Sequence, residues 1–510
     1  MKIFTVSEMR AVEQEAFKRG IIPLRLMENA GSAFAKKVCD LFPLQGKKIT
    51  VVVGNGNNGG DGYVAARKFK SYGAAVSIIR AFTGRTTDQC GEMAKKCAEI
   101  GLYPVDFGTN SDFCKNLLAN SDIIVDAIFG IGFHGEADRY TAEIIGLINE
   151  SPAIRVALDI PSGINANSGE VSGAAVKADL TVALAAAKYC HILPDASEYC
   201  GRVVCCSIGI PEDAFEIFGS VAETVEASDV AMNLKKRPKN SHKGTFGTAM
   251  FLCGSYSMAG AAILACKSAV RSGAGLTKLE TVNSIYPIVG AALPETVHIP
   301  LKETENGTVS AADIDKVLKQ AARSTALCIG CGMGKDRYAP YLLDEIFKNT
   351  ECPILLDADG INAAAESINI FEHKKGALVL TPHPAEMARL YNTTAKEVNS
   401  DRIGFATRAA KDFGATVVLK GANTVIATSK GRVFVNMNGN AGMATAGSGD
   451  MLAGIITALM AQGISPDSSA VMGVYIHAAA GDKARDIQGE YSMNVEDMIE
   501  ALPKVFKSLV

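Results

Sequence analysis

The chain has 510 residues, of which 48% are hydrophobic and 21% are charged, and its formal net charge is −3. These values exclude an intrinsically disordered chain, and the lack of a basic excess argues against nucleic acid or an anionic membrane as the main partner. At this length we expect two or three domains, because a single hydrophobic core stops growing well below it.

Targeting signals and disulfides are not expected in this chain. Residues 1–20 carry charges throughout and hold no apolar signal region, and no stretch of about eighteen uncharged apolar residues occurs. The 13 cysteines are scattered along the chain, and we interpret them as reduced core thiols and not as a disulfide framework or a zinc site. We therefore predict a cytoplasmic protein without a membrane partner.

The first half of the chain alternates between short apolar runs and helical spacing. Helices are predicted over residues 7–19 and 24–41, and a further helix over residues 63–72. The predicted strands of this half are residues 48–53, 75–81, 123–128, 154–160 and 180–184. Strands that alternate with helices predict a parallel sheet covered on both faces.

The alternating pattern lapses at residues 209–228 and then begins again. We place a domain boundary near residues 213–228. A second series of strands is predicted at residues 247–252, 326–329, 353–356, 377–380, 416–419 and 424–427. No internal repeat relates the two halves, so the sequence predicts two different α/β domains in tandem.

A glycine-rich loop, residues 54–62, lies between a predicted strand and a predicted helix. Its glycines fit the Gly-x-Gly-x-x-Gly pattern of dinucleotide-binding loops. The next strand ends at Ala81 without the acidic residue that an ordinary NAD site requires, and Asp61 inside the loop would repel a pyrophosphate. The loop therefore predicts a ligand site that differs from a standard NAD site.

Two further strands of this half end in aspartates, Asp126 and Asp159. Ligands bind at the carboxyl ends of strands in an open parallel sheet, so these ends and the loop should converge on one crevice. Asn58, Asp126 and Ser162 offer the oxygen atoms that suit an alkali or alkaline-earth cation, which leaves Asp159 as a candidate acid or base. The alternative is that each aspartate only caps a helix or forms a turn.

The clearest motif of the second half is a glycine-rich run at residues 439–450, followed by an apolar helix. Gly447, Ser448 and Gly449 would place backbone N–H groups at the helix N-terminus, where they bind an anion and stabilise a phosphoryl group in transfer. Asp450 in the first turn could accept a proton from an attacking hydroxyl. The alternative is a glycine-rich turn with Asp450 as a cap, and no P-loop sequence occurs.

These motifs resemble a known pair of enzyme domains. Residues 55–62, 126–135 and 159–163 resemble the NAD(P)H-hydrate epimerase domain over residues 3–213. The segments that resemble the ADP-dependent NAD(P)H-hydrate dehydratase, a ribokinase-like enzyme, are residues 243–247, 254–255, 258–262, 273–275, 357–360 and 381–387. This second resemblance spans residues 228–508, and it departs from the family at Cys331, where proline is often found.

The resemblance implies two tandem three-layer domains, an N-terminal Rossmann-like sheet and a C-terminal ribokinase-like sheet. Residues 1–215 would form the epimerase domain, residues 216–228 a linker and residues 229–510 the dehydratase domain. By the same resemblance Asn58, Asp126 and Ser162 would hold a potassium ion, and Mg²⁺ would accompany ADP. Asp159 and Asp450 would be the catalytic residues.

The resemblance also implies the ligand contacts of both domains. In the first domain the hydrated nucleotide would contact Asn57, Asn58, Gly59, Gly60, Asp61, Gly130, Ile131, Gly132, Phe133, His134, Gly135, Glu136 and Asp159. In the second domain it would contact Gly332, His383, Pro384, Ala385, Glu386, Met387, Ala388, Arg389 and Asp450. ADP would contact Lys420, Gly421, Ala422, Asn423, Thr424, Asn440, Ala441, Gly442, Met443, Ala444, Thr445, Ala446, Gly447, Ser448 and Gly449.

The activity implied by this resemblance is repair of hydrated NADH and NADPH. The first domain would interconvert the R and S hydrates, and the second would use ADP to dehydrate the S hydrate with release of AMP and phosphate. We also expect a homo-oligomer. The alternative hypothesis is a small-molecule kinase of the ribokinase superfamily fused to a non-catalytic nucleotide-binding or scaffold module.

Overall fold

The structure is a computed structural model that describes residues 1–82, 84–234 and 236–510. The chain divides into two compact units, Met1–Glu223 and Thr224–Val510. The segment predicted as a linker, residues 216–228, contains the end of one helix, a short strand and the start of another helix. Among the helices of the described residues, none combines the length and the apolar character of a membrane span.

The first unit contains a seven-stranded sheet. In chain order the strands of the unit are β1 Lys2–Phe4, β2 Lys48–Val53, β3 Ala75–Arg80, β4 Pro104–Asp106, β5 Ile123–Ala127, β6 Ile154–Leu158, β7 Leu180–Leu184, β8 Ala187–Lys188, β9 Arg202–Cys206 and β10 Ala222–Thr224. Three short strands, β1, β8 and β10, lie outside this sheet, and β10 is at the junction of the units. The helices of the unit are α1 Val6–Lys18, α2 Pro23–Leu41, α3 Asn57–Ser71, α4 Asp88–Glu99, α5 Ser111–Ala119, α6 Arg139–Glu150, α7 Pro194–Cys200 and α8 Glu212–Phe218.

All strands of this sheet are parallel, in the order β4-β3-β2-β5-β6-β7-β9. Alternate residues of a strand face opposite sides, so Val51 and Val53 join the core beneath α2 and α3, whereas Val52 joins the core beneath α5 and α6. Burial on both faces explains why β2 is a continuous apolar run. The unit therefore has three layers.

Helix α3 begins earlier than the sequence predicts. We expected a helix from about residue 63, but the first turn starts at Asn57, inside the glycine-rich loop. A Cβ atom on Gly60 would lie 2.5 Å from the Met27 sulfur, and one on Gly62 would lie 2.6 Å from the Cβ of Ala127. The glycines are needed for this close packing, and helix propensity alone could not reveal it.

The second unit contains the remaining elements. Its strands are β11 Thr248–Leu252, β12 Leu276–Val282, β13 Thr296–Leu301, β14 Ala326–Ile329, β15 Ile354–Leu356, β16 Leu378–Leu380, β17 Thr416–Leu419, β18 Thr424–Ala427 and β19 Val433–Asn436. Its helices are α9 Ala227–Asn233, α10 Ala259–Arg271, α11 Tyr286–Ala292, α12 Ile314–Ala321, α13 Ala339–Asn349, α14 Ala358–Glu366, α15 Pro384–Tyr391, α16 Ala395–Ser400, α17 Arg402–Asp412, α18 Ser448–Ala461, α19 Pro466–Gln488 and α20 Val495–Leu509.

The strands of this unit run in the order β13-β12-β11-β14-β15-β16-β17-β18-β19. Those from β13 to β17 are parallel, and β18 and β19 pair antiparallel at the end of the series. Helix α18 is buried on all sides from Met451 to Ala461, and it packs against α10, α19 and the strands. The carboxyl ends of the parallel strands thus share one edge.

Candidate active sites

A cavity of about 750 Å³ lies at the carboxyl ends of β2, β5 and β6 in the first unit. The predicted substrate contacts that line it are Asn57, Asn58, Asp61, Gly130, Ile131, Gly132, Phe133, His134, Glu136 and Asp159. Gly59, Gly60 and Gly135 are not among its described lining residues. The structure therefore brings most of the three sequence segments together, as the strand-end rule predicts.

Asp159 is paired with a lysine that the sequence analysis did not identify. Lys188 Nζ lies 2.5 Å from Asp159 Oδ1, and the backbone N–H of Leu184 donates to the same oxygen at 2.9 Å. Both side chains are buried at the cavity wall, with 2% and 8% of their surface exposed. Burial works against the charged form of Lys188, but the charge and hydrogen bond of Asp159 raise its pKa.

The backbone of Asp159 is also unusual. Its φ angle is +70°, in the left-handed region that costs a non-glycine residue roughly 1–3 kcal/mol. The surrounding contacts hold the residue there, so its carboxylate is fixed between Lys188 and the cavity. Such a strained, buried and charged pair is typical of a functional site and not of a helix cap.

Two more acids face the same cavity, Asp61 on α3 and Glu13 on α1. Burial raises the pKa of Asp61 well above its usual value, and the nearby charges of Asp159 and Glu13 raise it further. Burial likewise raises the pKa of Glu13. Both shifts favour the protonated form of the acid, which weakens the repulsion of a pyrophosphate that the position of Asp61 in the loop implied.

The three predicted cation ligands lie around the backbone of Phe129. Asn58 Nδ2 donates to the Phe129 carbonyl at 2.8 Å, and the Phe129 N–H donates to Ser162 Oγ at 2.9 Å. Ser162 donates to both carboxylate oxygens of Asp126, through its N–H at 2.7 Å and its hydroxyl at 2.6 Å. The sequence prediction that these residues converge is thus matched by their positions.

Asp126 has the character of a residue that can bind a cation. It is 1% exposed. Burial raises its pKa to about 6, although the hydrogen bonds from Ser162 act in the opposite direction and lower it. Within the described residues it forms no ion pair with a lysine, arginine or histidine. A buried carboxylate among oxygen donors without a basic partner fits an alkali cation, which would offset its charge.

In the second unit Asp450 lies among acidic and thiol groups. The ligand atoms of Cys331, Asp357 and Asp450 all lie within 4.8 Å of one another. Burial, followed by the influence of Cys331 and Asp357, raises the pKa of Asp450 to about 9. Asp450 sits in the first turn of α18, as predicted, and it remains partly exposed.

Lys420 links the strand ends on this edge. Its Nζ lies 2.5 Å from Asp357 Oδ1 and 3.9 Å from Glu386 Oε2. The Thr381 hydroxyl donates to the same Asp357 oxygen at 2.8 Å. A Cβ atom on Gly449 would lie 3.3 Å from Lys420 Nζ, so the cation lies beside the N-terminus of α18. Lysine and helix N-terminus together provide positive charge for a phosphate.

The segment at the start of α15 is held by a reciprocal cap. His383 Nδ1 accepts from the N–H of Ala385 and of Glu386, and Glu386 Oε2 accepts from the N–H of His383. Burial and the charges of Lys420 and Arg389 lower the pKa of His383. Arg389 donates to Asn362 at 2.8 Å. His383 and Glu386 therefore stabilise this loop as well as facing the strand edge.

The glycine-rich run before α18 has its own hydrogen bonds. Gly447 has a φ angle of +90°, which permits the turn into the helix. Asp482 accepts from the N–H of Gly439 and from the side chain of Asn440. Ser448 Oγ lies 3.1 Å from His477 Nε2. Asp482 and His477 were not predicted, since both lie on α19, far along the chain.

Two family models match this chain. A model described as NAD(P)H-hydrate dehydratase matches residues 249–504, and one described as YjeF-related protein N-terminus matches residues 23–190. The two matched regions contain both candidate sites.

Similar proteins cover the whole chain. The bifunctional NAD(P)H-hydrate repair enzymes of Thermofilum pendens and Moorella thermoacetica are each 35% identical to it, over 100% of this chain and 97% of theirs. That of Escherichia coli is 31% identical over 99% of this chain and 93% of its own. Among solved structures, an ADP/ATP-dependent NAD(P)H-hydrate dehydratase from Bacillus subtilis, crystallised with ATP and Mg²⁺, is 29% identical and covers 57% of this chain and 99% of its own, with a TM-score of 0.50.

Proposed function

This chain belongs to the family of bifunctional NAD(P)H-hydrate repair enzymes, and on that premise we propose which of its residues carry the two reactions. The protein is an enzyme that repairs hydrated NADH and NADPH by epimerisation and by nucleotide-dependent dehydration. The predicted family, fold class and activity are confirmed, and family membership decides against the kinase alternative. We assign the epimerase to residues 1–215 and the dehydratase to residues 229–510, with residues 216–228 as the linker.

For epimerisation we assign the proton transfer to Asp159, assisted by Lys188. Carbon C6, which bears the hydroxyl, can change configuration only if one of its bonds breaks and forms again, either the C6–N1 bond by ring opening to an aldehyde or the C6–O bond through an iminium. This requires a group that accepts and returns a proton beside the ring. The observation that supports the assignment is the buried 2.5 Å ion pair at the cavity wall. Lys188 holds the Asp159 carboxylate in place through this ion pair, and Asp61 lies on the wall of the same cavity.

Asn58, Asp126 and Ser162 are the proposed potassium ligands of this unit. The support is their convergence around Phe129 and the burial of Asp126 without a basic partner. A bound potassium ion supplies positive charge next to the substrate cavity. The residues themselves fix the Phe129 backbone, which forms part of the cavity wall.

For dehydration we assign the base to Asp450 and the phosphate contacts to the N-terminus of α18. Hydroxide is a poor leaving group, but phosphorylation by ADP converts the hydroxyl into a phosphate ester, whose elimination restores the nicotinamide ring and leaves AMP and phosphate. Asp450 takes the hydroxyl proton, and the N–H groups of residues 447–449 with Lys420 hold the phosphoryl oxygens. The supporting observation is that Asp450, Lys420 and the helix N-terminus share one strand edge.

Magnesium would enter this site with ADP. Mg²⁺ prefers oxygen ligands, and Asp357 and Asp450 provide them, whereas the Cys331 sulfur beside them does not suit this ion. We therefore propose that the carboxylates contribute ligands only together with the phosphates of ADP. The ion would neutralise part of the negative charge on the phosphates of ADP.

One experiment tests both assignments. Purified enzyme is given a mixture of the two hydrate epimers with ADP, within a time too short for spontaneous epimerisation. We expect complete conversion to NAD(P)H, AMP and phosphate. With Asp159→Asn only the S epimer should be consumed, and with Asp450→Asn neither. Wild-type dehydration by Asp450→Asn, or wild-type epimerisation by Asp159→Asn, would reject the corresponding assignment.

We also propose a homo-oligomeric, cytoplasmic protein. The support for the compartment is the membership of the chain in a family of enzymes that repair NADH and NADPH. The oligomeric state can be measured by light scattering after gel filtration, where a monomer mass would reject this proposal.

A further inference from the structure

Three buried cysteines of the second unit form a cluster that neither reaction uses. The sulfur atoms of Cys253, Cys328 and Cys331 all lie within 4.8 Å of one another, and those of Cys328 and Cys331 are 3.9 Å apart. All three residues have no exposed surface. Cys328 and Cys331 have the Cys-x-x-Cys spacing, so the interpretation of all 13 cysteines as scattered core thiols is incomplete.

The fold holds these thiols at the ends of two adjacent strands. Cys328 lies in β14, opposite Phe251 of the parallel strand β11, and Cys253 follows that strand directly. The N–H of Gly254 donates to the Cys331 carbonyl at 2.9 Å, which joins the two strand ends. The three sulfurs therefore converge because of sheet register, and their convergence does not depend on flexible side chains.

Cys331 also belongs to the dehydratase site. Its thiol lies 3.7 Å from Asp357 Oδ2, and it is grouped with Asp357 and Asp450. Asp450 is partly exposed, whereas the three thiols are buried, so we infer that a small molecule reaches the cluster from the Asp450 side.

We propose that Cys253, Cys328 and Cys331 form a binding site for trivalent arsenic, taken up as arsenite, and that its occupation stops dehydration. Arsenite is uncharged at neutral pH and prefers three sulfur ligands. Three S–H bonds and three As–O bonds break, three As–S bonds form and three water molecules leave, without oxidation or reduction. The product is neutral. This suits a buried site in which no lysine or arginine of the described residues forms a hydrogen bond with the sulfurs.

Zinc fits this cluster less well. A structural zinc site has four ligands, and three thiolates with Zn²⁺ would leave a negative charge in the core. Binding of arsenic removes the Cys331 thiol from Asp357 and places a new group beside Asp450. The dehydratase should therefore lose activity, whereas the epimerase cavity of the first unit contains none of these thiols.

The test measures binding and activity separately. Full-length enzyme is incubated with sodium arsenite and freed of excess reagent by gel filtration, and its arsenic content is measured by elemental analysis. We expect one arsenic per chain, at least a tenfold loss of dehydration, unchanged epimerisation and recovery with excess dithiol. Arsenic content is measured independently of activity. The binding site can therefore be detected even if the dehydratase residues that we assign under the proposed function are wrong.

Variants identify the ligands. Cys253→Ala removes one sulfur that contacts no assigned catalytic group, and it should reduce retained arsenic at least tenfold and protect dehydration. Cys266→Ala, at another fully buried cysteine outside the cluster, should behave like wild type. Melting curves of both variants check that they fold. Wild-type enzyme that retains no arsenic, or folded Cys253→Ala that retains as much as wild type, would overturn the proposal. If Cys253→Ala does not fold, Cys328→Ala takes its place with the same expected result.

Discussion

Asp159 and Asp450 carry the proton transfers that we assign to the two units, and their neighbours differ in charge. Asp159 lies against the Lys188 ammonium, with 2.5 Å between Lys188 Nζ and Asp159 Oδ1. Asp450 lies against Cys331 and Asp357, and its pKa is raised to about 9. The nearest charged partner of Asp159 is therefore a cation, whereas Asp450 has acidic and thiol neighbours that favour its protonated form.

We expect Lys188→Met to abolish epimerisation and to destabilise the protein. Removing one partner leaves a buried, uncompensated carboxylate, which typically costs about 3–5 kcal/mol in the free energy of unfolding. Epimerase activity should fall by roughly a factor of 10² or more, the usual contribution of a positioned acid or base. Urea unfolding and an epimer-resolved assay measure the two effects. Lys177→Met, at an exposed lysine of the same unit, is the control and should change neither.

The pH dependence of dehydration should follow Asp450. Only ionised Asp450 accepts a proton, so kcat/KM should rise as the pH increases through neutrality toward about 9. The same raised pKa means that the folded state favours protonated Asp450, so this residue's contribution to stability is lost as the pH rises toward that value. A pH profile of initial rates, with epimerisation measured in parallel, tests this. A dehydration rate that is flat from about pH 6 to 9 would contradict it.

At the level of elements, α18 links the sheet to the phosphate site. The helix is buried on all sides, and its N-terminus stands beside Lys420. Close packing against α10 requires a glycine, because a Cβ atom on Gly454 would lie 2.2 Å from the Ala265 carbonyl oxygen. A displacement of this helix would therefore move the N–H groups that bind phosphate.

We expect Gly454→Ala to lower both stability and dehydration. The added methyl must push α18 away from α10, and overpacking of this kind typically costs about 1–3 kcal/mol in the free energy of unfolding. Gly260→Ala in α10 is a matched control, since its Cβ meets nothing within 4 Å and alanine favours the helix. Chemical unfolding should give a lower free energy of unfolding for Gly454→Ala than for Gly260→Ala. Equal values would show that α10 and α18 can accommodate the added methyl group.

The proposed potassium ligands at the strand ends of the first unit predict that potassium stabilises the protein against thermal unfolding. The potassium ion that we propose would bind ionised Asp126, whose pKa burial raises to about 6. A potassium salt should therefore raise the melting temperature more at about pH 8 than at about pH 5, when compared with a choline salt. Asp126→Asn should abolish the difference, whereas Asp112→Asn, at an exposed helix residue, should keep it. An equal response in wild type and Asp126→Asn would exclude these ligands.

At the level of the whole molecule, two compact units carry two activities on one chain. The first unit contains the Asp159 cavity, and the second contains the strand edge with Asp450. The epimerase converts the hydrate that the dehydratase rejects into the one that it accepts. The fusion therefore allows complete repair of a mixture that either activity alone would leave half repaired.

The two activities should complement each other between molecules. Equal amounts of the Asp159→Asn and Asp450→Asn variants, mixed with both hydrates and ADP, should restore complete conversion, because each variant keeps one intact site and the hydrate diffuses between them. Each variant alone is the control. NAD(P)H absorbance at the endpoint gives the yield, and a mixture that stops at the yield of Asp159→Asn would show that the hydrate is not exchanged.

The sequence by itself predicted where both candidate sites lie in the fold. The glycine-rich runs, the strand-end residues Asp126 and Asp159, and Asp450 in the first helical turn all lie where local patterns placed them. Such signals are local because turn geometry, strand periodicity and helix starts depend on residues close together in the chain. The Cys-x-x-Cys spacing of Cys328 and Cys331 is an equally local signal.

Only the tertiary structure decided which charges and thiols meet. Lys188 reaches Asp159 from 29 residues away, and Cys253 joins Cys328 from 75 residues away along the chain. It also decided that the pKa values of Asp61 and Asp450 are raised, because burial and the charges of residues distant in the chain set those values. These pairings depend on sheet order and close packing, which bring together residues that no local pattern in the sequence relates.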